Sequence, residues 1–285
     1  MSNILITGSN GQLGSELRAI SSNYKNYNFI FTDIEDLDIT NHLSVKNSII
    51  DNNIKIIINC AAYTDVDNAE NDPKLNNAIN HLAVQNFAAI SKEKSIKFIQ
   101  ISTDYVFDGN NNKPYLEIDQ TNPQSIYGKM KLAGEQAVQT INPKNSIIIR
   151  TSWLYSTHGK NFFKTMLRLG KEKKELGVIF DQIGTPTFAG DLAKAILEIL
   201  PKIKNNNVEI FHYSNEGACS WYDFAQEIFH INNNPIKINP IETSQYPTAA
   251  NRPSYSVLNK KKIKRTYKLD IPYWKNSLIR CSLKL

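Results

Sequence analysis

The first half of the chain alternates short runs of Ile, Phe and Val with longer amphipathic stretches. Apolar runs over 3–7, 28–33, 55–59, 97–102 and 146–151 are bounded by polar residues and predict strands buried on both faces. Between them the spacing predicts helices near 12–22, 41–52, 73–94 and 123–140. Such alternation implies an α/β fold, a doubly wound (Rossmann-type) parallel sheet with right-handed crossovers. After residue 151 the pattern loosens. Helices are predicted near 159–174, 189–201 and 220–230, and short strands near 178–180, 209–213 and 236–239. Pro186, Pro235, Pro240, Pro247 and Pro253 punctuate this half. The predicted organisation is a sheet domain over 1–151 and, over 152–285, a smaller, partly interleaved C-terminal substrate lobe. Some segments of that lobe are expected to return to the first domain.

The first strand runs into Gly8-Ser-Asn-Gly11-Gln-Leu-Gly14. The spacing is GxxGxxG, and each glycine has a physical task. Gly8 permits a sharp turn, Gly11 lets backbone approach phosphate, and Gly14 lets the following helix pack on the strand. That helix then aims free N–H groups and its positive dipole end at a pyrophosphate. Asp33 ends the second strand, where a carboxylate accepts from an adenosine ribose hydroxyl. The pattern therefore predicts a bound nicotinamide dinucleotide. Asp33 favours NADH because a carboxylate repels a 2′-phosphate, but the choice between NADH and NADPH stays open. Asp38 and Ile39 are placed to border the adenine, and Ala61, Ala62 and Tyr63 to follow the cofactor beyond the third strand.

Ligands in such sheets bind beyond the carboxyl ends of the strands. The fourth strand ends in Ser102-Thr103-Asp104, and Pro123 is placed to open the next helix. On that helix Tyr127 and Lys131 are four residues apart and share a face. No other tyrosine of the 13 precedes a lysine or arginine by four. A free phenol has a pKa near 10, and an adjacent ammonium is expected to lower it toward the working range. Tyr127 is thus the expected proton donor to a carbonyl oxygen that receives hydride at its carbon. Lys131 is its partner and a hydrogen-bond donor to the nicotinamide ribose, and Thr103 a second donor at the carbonyl.

The 285 residues carry a net charge of +6, a balance that also suits polyanion binding. The one dense basic run, Lys260-Lys261-Lys262 with Lys264 and Arg265, has little aromatic interleaving. It reads as solvated surface, so no nucleic-acid partner is expected. Cys60, Cys219 and Cys281 are widely spaced and form neither a zinc pattern nor a disulfide framework. No apolar run approaches the ~18 residues that span a bilayer, and the chain opens without a signal-peptide pattern. No membrane association and a cytoplasmic location are expected.

With these residues in place, the sequence resembles the extended short-chain dehydrogenase/reductases, and within them the dTDP-4-dehydrorhamnose reductase family. The resemblance runs from about residue 3 to about 265. It is carried by Ile6-Thr-Gly-Ser-Asn-Gly-Gln-Leu-Gly14, Asn59-Cys-Ala-Ala-Tyr63, Ser102-Thr-Asp-Tyr-Val-Phe-Asp-Gly109, Tyr127-Gly-Lys-Met-Lys131, Arg150-Thr-Ser-Trp-Leu-Tyr155 and Asp181-Gln-Ile-Gly-Thr-Pro-Thr187. It implies catalytic roles for Tyr127, Lys131 and Thr103. Gly11, Gln12, Leu13, Asp33, Asp38, Ile39, Ala61, Ala62 and Tyr63 match cofactor-contact positions. Thr103, Asp104 and Trp153 match substrate-contact positions. The implied reaction is reduction of the 4-keto group of dTDP-4-dehydro-β-L-rhamnose to dTDP-L-rhamnose, with NADPH or NADH, for surface polysaccharide.

Several alternatives accompany that resemblance. Trp153 is an apolar platform for sugar or base, or a core residue. Arg252, in Asn251-Arg-Pro253, clamps a substrate diphosphate or simply precedes a turn. Some family members hold a magnesium ion with acidic residues at a dimer interface. Glu16 matches one such position, but Gly190 stands where another acid is expected and Asp191 is offset by one. Mg2+ and the choice between monomer and homodimer therefore stay open. The competing functions are another nucleotide-sugar 4-ketoreductase and a non-catalytic regulatory subunit like that of methionine adenosyltransferase. A complete Thr103–Tyr127–Lys131 set argues against the latter.

Overall fold

The computed structural model describes residues 1–285. The first half runs β1 (Ser2–Thr7), α1 (Gln12–Ile20), β2 (Tyr27–Thr32), α2 (His42–Asp51), β3 (Ile54–Asn59), α3 (Val66–Ala69), α4 (Pro73–Asn77), α5 (Ala83–Lys94), β4 (Lys97–Thr103), α6 (Ile126–Ile141) and β5 (Ser146–Thr151). The second half runs β6 (Leu154–Tyr155), α7 (Phe162–Glu172), β7 (Glu175–Ile179), β8 (Ile183–Gly184), β9 (Thr187–Phe188), α8 (Ala189–Ile199), β10 (Glu209–His212), β11 (Cys219–Ser220), α9 (Trp221–Ile231), β12 (Lys237–Ile241), α10 (Lys261–Tyr267) and α11 (Trp274–Ser282).

Six strands form one parallel sheet in the order β10-β5-β4-β3-β1-β2. The continuous apolar strands are explained by burial on both faces. Ile4, Ile6, Ile58, Ile99 and Ile149 meet Leu13 and Leu17 of α1, Leu192 and Ile196 of α8, and Ile263 of α10. The intervening Leu5, Ile57, Phe98 and Ile148 meet Val45 of α2, Val84 and Phe87 of α5, and Val138 of α6. Both α8 and β10 belong to the second half yet build the main sheet layers. A separate cluster joins α7, α9 and α11 through Phe163, Phe224, Ile228, Trp274 and Leu278.

Three details differ from the sequence expectation. Pro123 does not open α6. Ser125 caps it, accepting from the Gly128 amide at 3.1 Å, and the helix begins at Ile126. The helix expected over 73–94 is broken by a π-turn, Ala78–Leu82. There the Asn80 side chain accepts from Tyr63 N at 3.2 Å and donates to Tyr63 O at 2.9 Å, anchoring the loop beyond β3. Finally, α10 and α11 were not expected. The basic run hides a short amphipathic helix whose Ile263 and Tyr267 are buried. Three lysines of the run are paired: Lys264 and Lys260 with Glu216 at 2.7 and 3.4 Å, Lys262 with Glu209 at 3.3 Å; Lys261 stays exposed. No helix is long and apolar enough to cross a membrane.

Beneath the carboxyl ends of β4 and β5 lies a buried ion pair. Arg150 Nη2 meets Glu135 Oε2 at 2.6 Å, with side-chain exposures of 3% and 1%, and Ser102 Oγ donates to the same carboxylate. Removing one partner strands a buried charge. Glu135→Ala is therefore expected to cost about 3–5 kcal/mol in urea denaturation.

Candidate active site

At the end of β1 the backbone of Gly8 turns at φ +63°, and a Cβ there would lie 2.7 Å from the Cα and N of Ala61. Gly14 is equally constrained, since its Cβ would lie 2.5 Å from Ser9 Cα. The first contact presses the turn onto the chain beyond β3, and the second presses α1 onto the turn. Gly11 caps α1 without a side-chain hydrogen bond, which leaves the first amides of the helix for a ligand. Asp33 Oδ2 accepts from Asn10 N at 2.7 Å and Oδ1 from Ile34 N at 2.9 Å, fixing the carboxylate against the turn. A cleft of about 690 Å³ extends from this cradle past Asp38, Ile39, Ala61 and Ala62 to Thr103, Tyr127 and Lys131. These residues fit a dinucleotide: the backbone is kept bare where phosphates must approach. Gly14 and Tyr63 do not line the cleft. Gly14 acts through packing, and Tyr63 through its backbone link to Asn80. The Asp38 carboxylate turns to Thr40, accepting from its N at 2.9 Å and Oγ1 at 2.7 Å.

Tyr127 and Lys131 project from the first turns of α6 into the cleft, exposed by only 8% and 5%. Lys131 Nζ donates to Ile101 O at 2.7 Å. Burial lowers its pKa to about 8, with Glu135 and Cys60 pulling the other way. Tyr127 corrects the sequence expectation. Burial pushes its phenol well above the ordinary value, a hydrogen bond with Thr103 opposes this, and Asp104 adds to the rise. Lys131 does not offset it: desolvation outweighs the pair, so Tyr127 carries its proton at neutral pH.

Thr103 Oγ1 donates to Asp104 Oδ1 at 2.9 Å and accepts from Tyr105 N at 3.2 Å. Burial raises Asp104 to about 6 against the hydrogen bond from Thr103. Arg252 lines the cleft, but its Nη2 is already bound to Asp67 Oδ2 at 2.7 Å and its Nη1 lies 3.5 Å from the Tyr105 hydroxyl. Tyr105 in turn packs edge-on against Tyr127, with ring centroids 5.6 Å apart. Trp153 lines the cleft too, so it is more than a core residue. Sequence reasoning missed Trp221, which also lines the cleft, and the loop through Gly159, Lys160 and Asn161. Asn161 Nδ2 donates to Gln12 Oε1 at 2.9 Å, tying that loop to the cradle. The Ser220–Asp223 capping signal beside Trp221 was legible; its proximity to Trp153 was not.

The acidic residues that a magnesium ion would need do not fit one. Glu16, exposed by 1%, receives Ser156 Oγ at 2.8 Å and Lys284 Nζ at 2.9 Å. Asp191 receives Arg280 Nη2 at 2.6 Å, Asn215 Nδ2 at 2.8 Å and the Ser277 hydroxyl. Gly190 contributes no ligand. Cations from α11 and the residues after it fill both carboxylates.

A dinucleotide cradle followed by a threonine, and by a tyrosine and lysine one helical turn apart, defines a short-chain dehydrogenase/reductase. The family model described as RmlD substrate binding domain matches residues 1–285. A dTDP-4-dehydrorhamnose reductase of Aggregatibacter actinomycetemcomitans is 40% identical, over 98% of this chain and 97% of its own. A crystal structure of a dTDP-4-dehydrorhamnose reductase from Clostridium acetobutylicum matches with a TM-score of 0.94 and 44% identity, over 99% of this chain and 100% of that one. The Bacillus anthracis dTDP-4-dehydrorhamnose reductase, solved in complex with NADP, matches with a TM-score of 0.95 and 39% identity over the whole of both chains. The chain belongs to the dTDP-4-dehydrorhamnose reductase (RmlD) family.

Two outcomes are expected. Lys131 loses its charge as pH rises through about 8, so dinucleotide affinity should weaken above that pH. Titrations of NADPH against pH should show this inflection in the parent chain and not in Lys131→Met. Dialysis against EDTA should leave the thermal midpoint unchanged, whereas Lys284→Met, which strands the Glu16 carboxylate, should lower it by several degrees.

Proposed function

We propose that the chain reduces the 4-keto group of dTDP-4-dehydro-β-L-rhamnose to give dTDP-L-rhamnose. The observation that carries the reading is a buried Tyr127 held beside Thr103 in the cleft that begins at the glycine cradle. The bound dinucleotide supplies hydride to C4 of the sugar. Tyr127 gives its phenolic proton to the carbonyl oxygen, and Thr103 donates to the same oxygen once its hydrogen turns from Asp104. Lys131, held at Ile101 O, keeps a positive charge beside the reacting atoms and steadies the phenolate left behind. Arg252 draws the substrate diphosphate and exchanges its contact with Asp67 for it. Both oxygens of Asp33 rest on backbone amides, and the carboxylate suits the ribose hydroxyl of NADH. The relative that holds NADP argues that NADPH is accepted as well. Three free thiols suit a reducing cytoplasm.

The test is turnover of dTDP-4-dehydro-L-rhamnose with each nicotinamide, followed by loss of reduced cofactor and identification of the sugar product. Absence of turnover with both cofactors would overturn the reading. Tyr127→Phe is expected to lose about 10²–10⁴-fold in kcat while NADPH binding, measured by titration calorimetry, is retained.

A further inference from the structure

Trp221 is the first residue of α9, and its place is set twice over. The Ser220 hydroxyl accepts from Asp223 N at 3.0 Å, while the Asp223 carboxylate accepts from Ser220 N at 2.9 Å and Oγ at 2.7 Å. This reciprocal cap locks the start of the helix. Immediately before it, β11 pairs antiparallel with β8, with Cys219 opposite Gly184 and Ser220 opposite Ile183. The carrier of Trp221 and the backbone of Gly184 are therefore one unit.

Trp153 reaches the same unit from the end of β5. Its backbone sits at φ +47°, a left-handed conformation that a bulky side chain rarely adopts. Such a conformation persists only where the surroundings over-determine it. Here they are visible. The indole lies parallel to that of Trp221, with centroids 3.5 Å apart and planes 6° apart. On Gly184 a Cβ would lie 2.6 Å from Trp153 Cζ2 and 2.7 Å from Nε1, so the indole uses the space a side chain would fill. Phe162 backs Trp221 at 4.6 Å. Both indoles remain half-buried, and both line the cleft that holds Thr103 and Tyr127.

Resting on the nucleotide-sugar reading above, we infer that Trp221 is a specificity-determining residue that holds Trp153 in its strained pose and shares with it an aromatic wall for an apolar face of the nucleotide sugar. Trp153 alone would be free to relax its backbone and swing its ring. The stack removes that freedom before substrate arrives, so the wall is preorganised. Trp221 forms no aromatic, cation–π or hydrogen-bonded pair with Tyr127 or Lys131; its ring partners are Trp153 and Phe162, so its influence falls on sugar binding rather than on the proton transfer.

The test uses the full chain with Trp221→Phe, Trp221→Ala and Gly184→Ala, the last pressing on Trp153 while leaving Trp221 intact. Two indoles stacked this closely couple their transitions, and a twist between their transition dipoles gives an exciton couplet in circular dichroism, read without substrate. The couplet should vanish in both Trp221 variants and be altered in Gly184→Ala. KM for the dTDP-ketosugar should rise at least tenfold in Trp221→Ala and Gly184→Ala, with KM for NADPH unchanged. Binding of dTDP itself, followed by tryptophan fluorescence, should weaken in the same variants. A couplet unaltered in Gly184→Ala overturns the inference, and so does an unchanged sugar KM or an equal rise in both KM values. If the parent chain turns over no dTDP-ketosugar, the functional reading fails on its own. Iodide quenching of Trp153 fluorescence in Trp221→Ala then still decides whether Trp221 holds Trp153, rising if the ring is released and unchanged if it keeps its pose. Should Trp221→Ala not fold, Gly184→Ala carries the same outcomes.

Discussion

A lysine ammonium kept inside the protein at the carboxyl edge of a parallel sheet is an expensive object, and much of the site is arranged around it. Lys131 gives one hydrogen to Ile101 O and lies one turn before Glu135 on α6. Glu135 is itself saturated by Arg150 and Ser102, so it can favour the ammonium electrostatically without capturing it. The cost of burying Lys131 appears as a pKa pulled down to about 8. The cost is tolerated because the same low-dielectric surroundings strengthen whatever Lys131 does to a bound ligand. A position like this needs a rigid floor, and the paired strands β4 and β5 with α6 above them provide it.

The strands and the glycine turn were readable because their signals are local. A strand covered on both faces must be apolar at successive positions, and a turn that touches Ala61 must lack a side chain. The Tyr127–Lys131 pair was equally local, since helical spacing alone puts the two on one face. Its electrostatics were not local. The expected depression of the phenol by its neighbour is reversed by burial, a quantity set by the packing of distant segments. Arg252 illustrates the same limit, because its partner Asp67 lies 185 residues away and no spacing rule connects them. The helix α10 was hidden for a third reason: its lysines pair with Glu209 and Glu216, which turns an apparently solvated run into part of the packing.

The second half of the chain does two jobs that composition does not separate. Through β10 and α8 it completes the sheet layers that shape the cradle. Through β8, β11 and α9 it brings aromatic side chains to the cleft beside the reacting residues. Interleaving the two jobs ties the sugar side of the cleft to the dinucleotide side, most directly where Asn161 donates to Gln12.

The contact between Glu16 and Lys284 joins residues 268 positions apart. Glu16 belongs to α1, the helix that follows the glycine turn, and its carboxylate is nearly inaccessible. Without Lys284 that helix can be sealed against the sheet only by leaving a buried carboxylate without its cationic counterpart. The seating of the cradle helix therefore depends on a side chain 268 positions away, so two sequence-distant ends of this fold close as one unit.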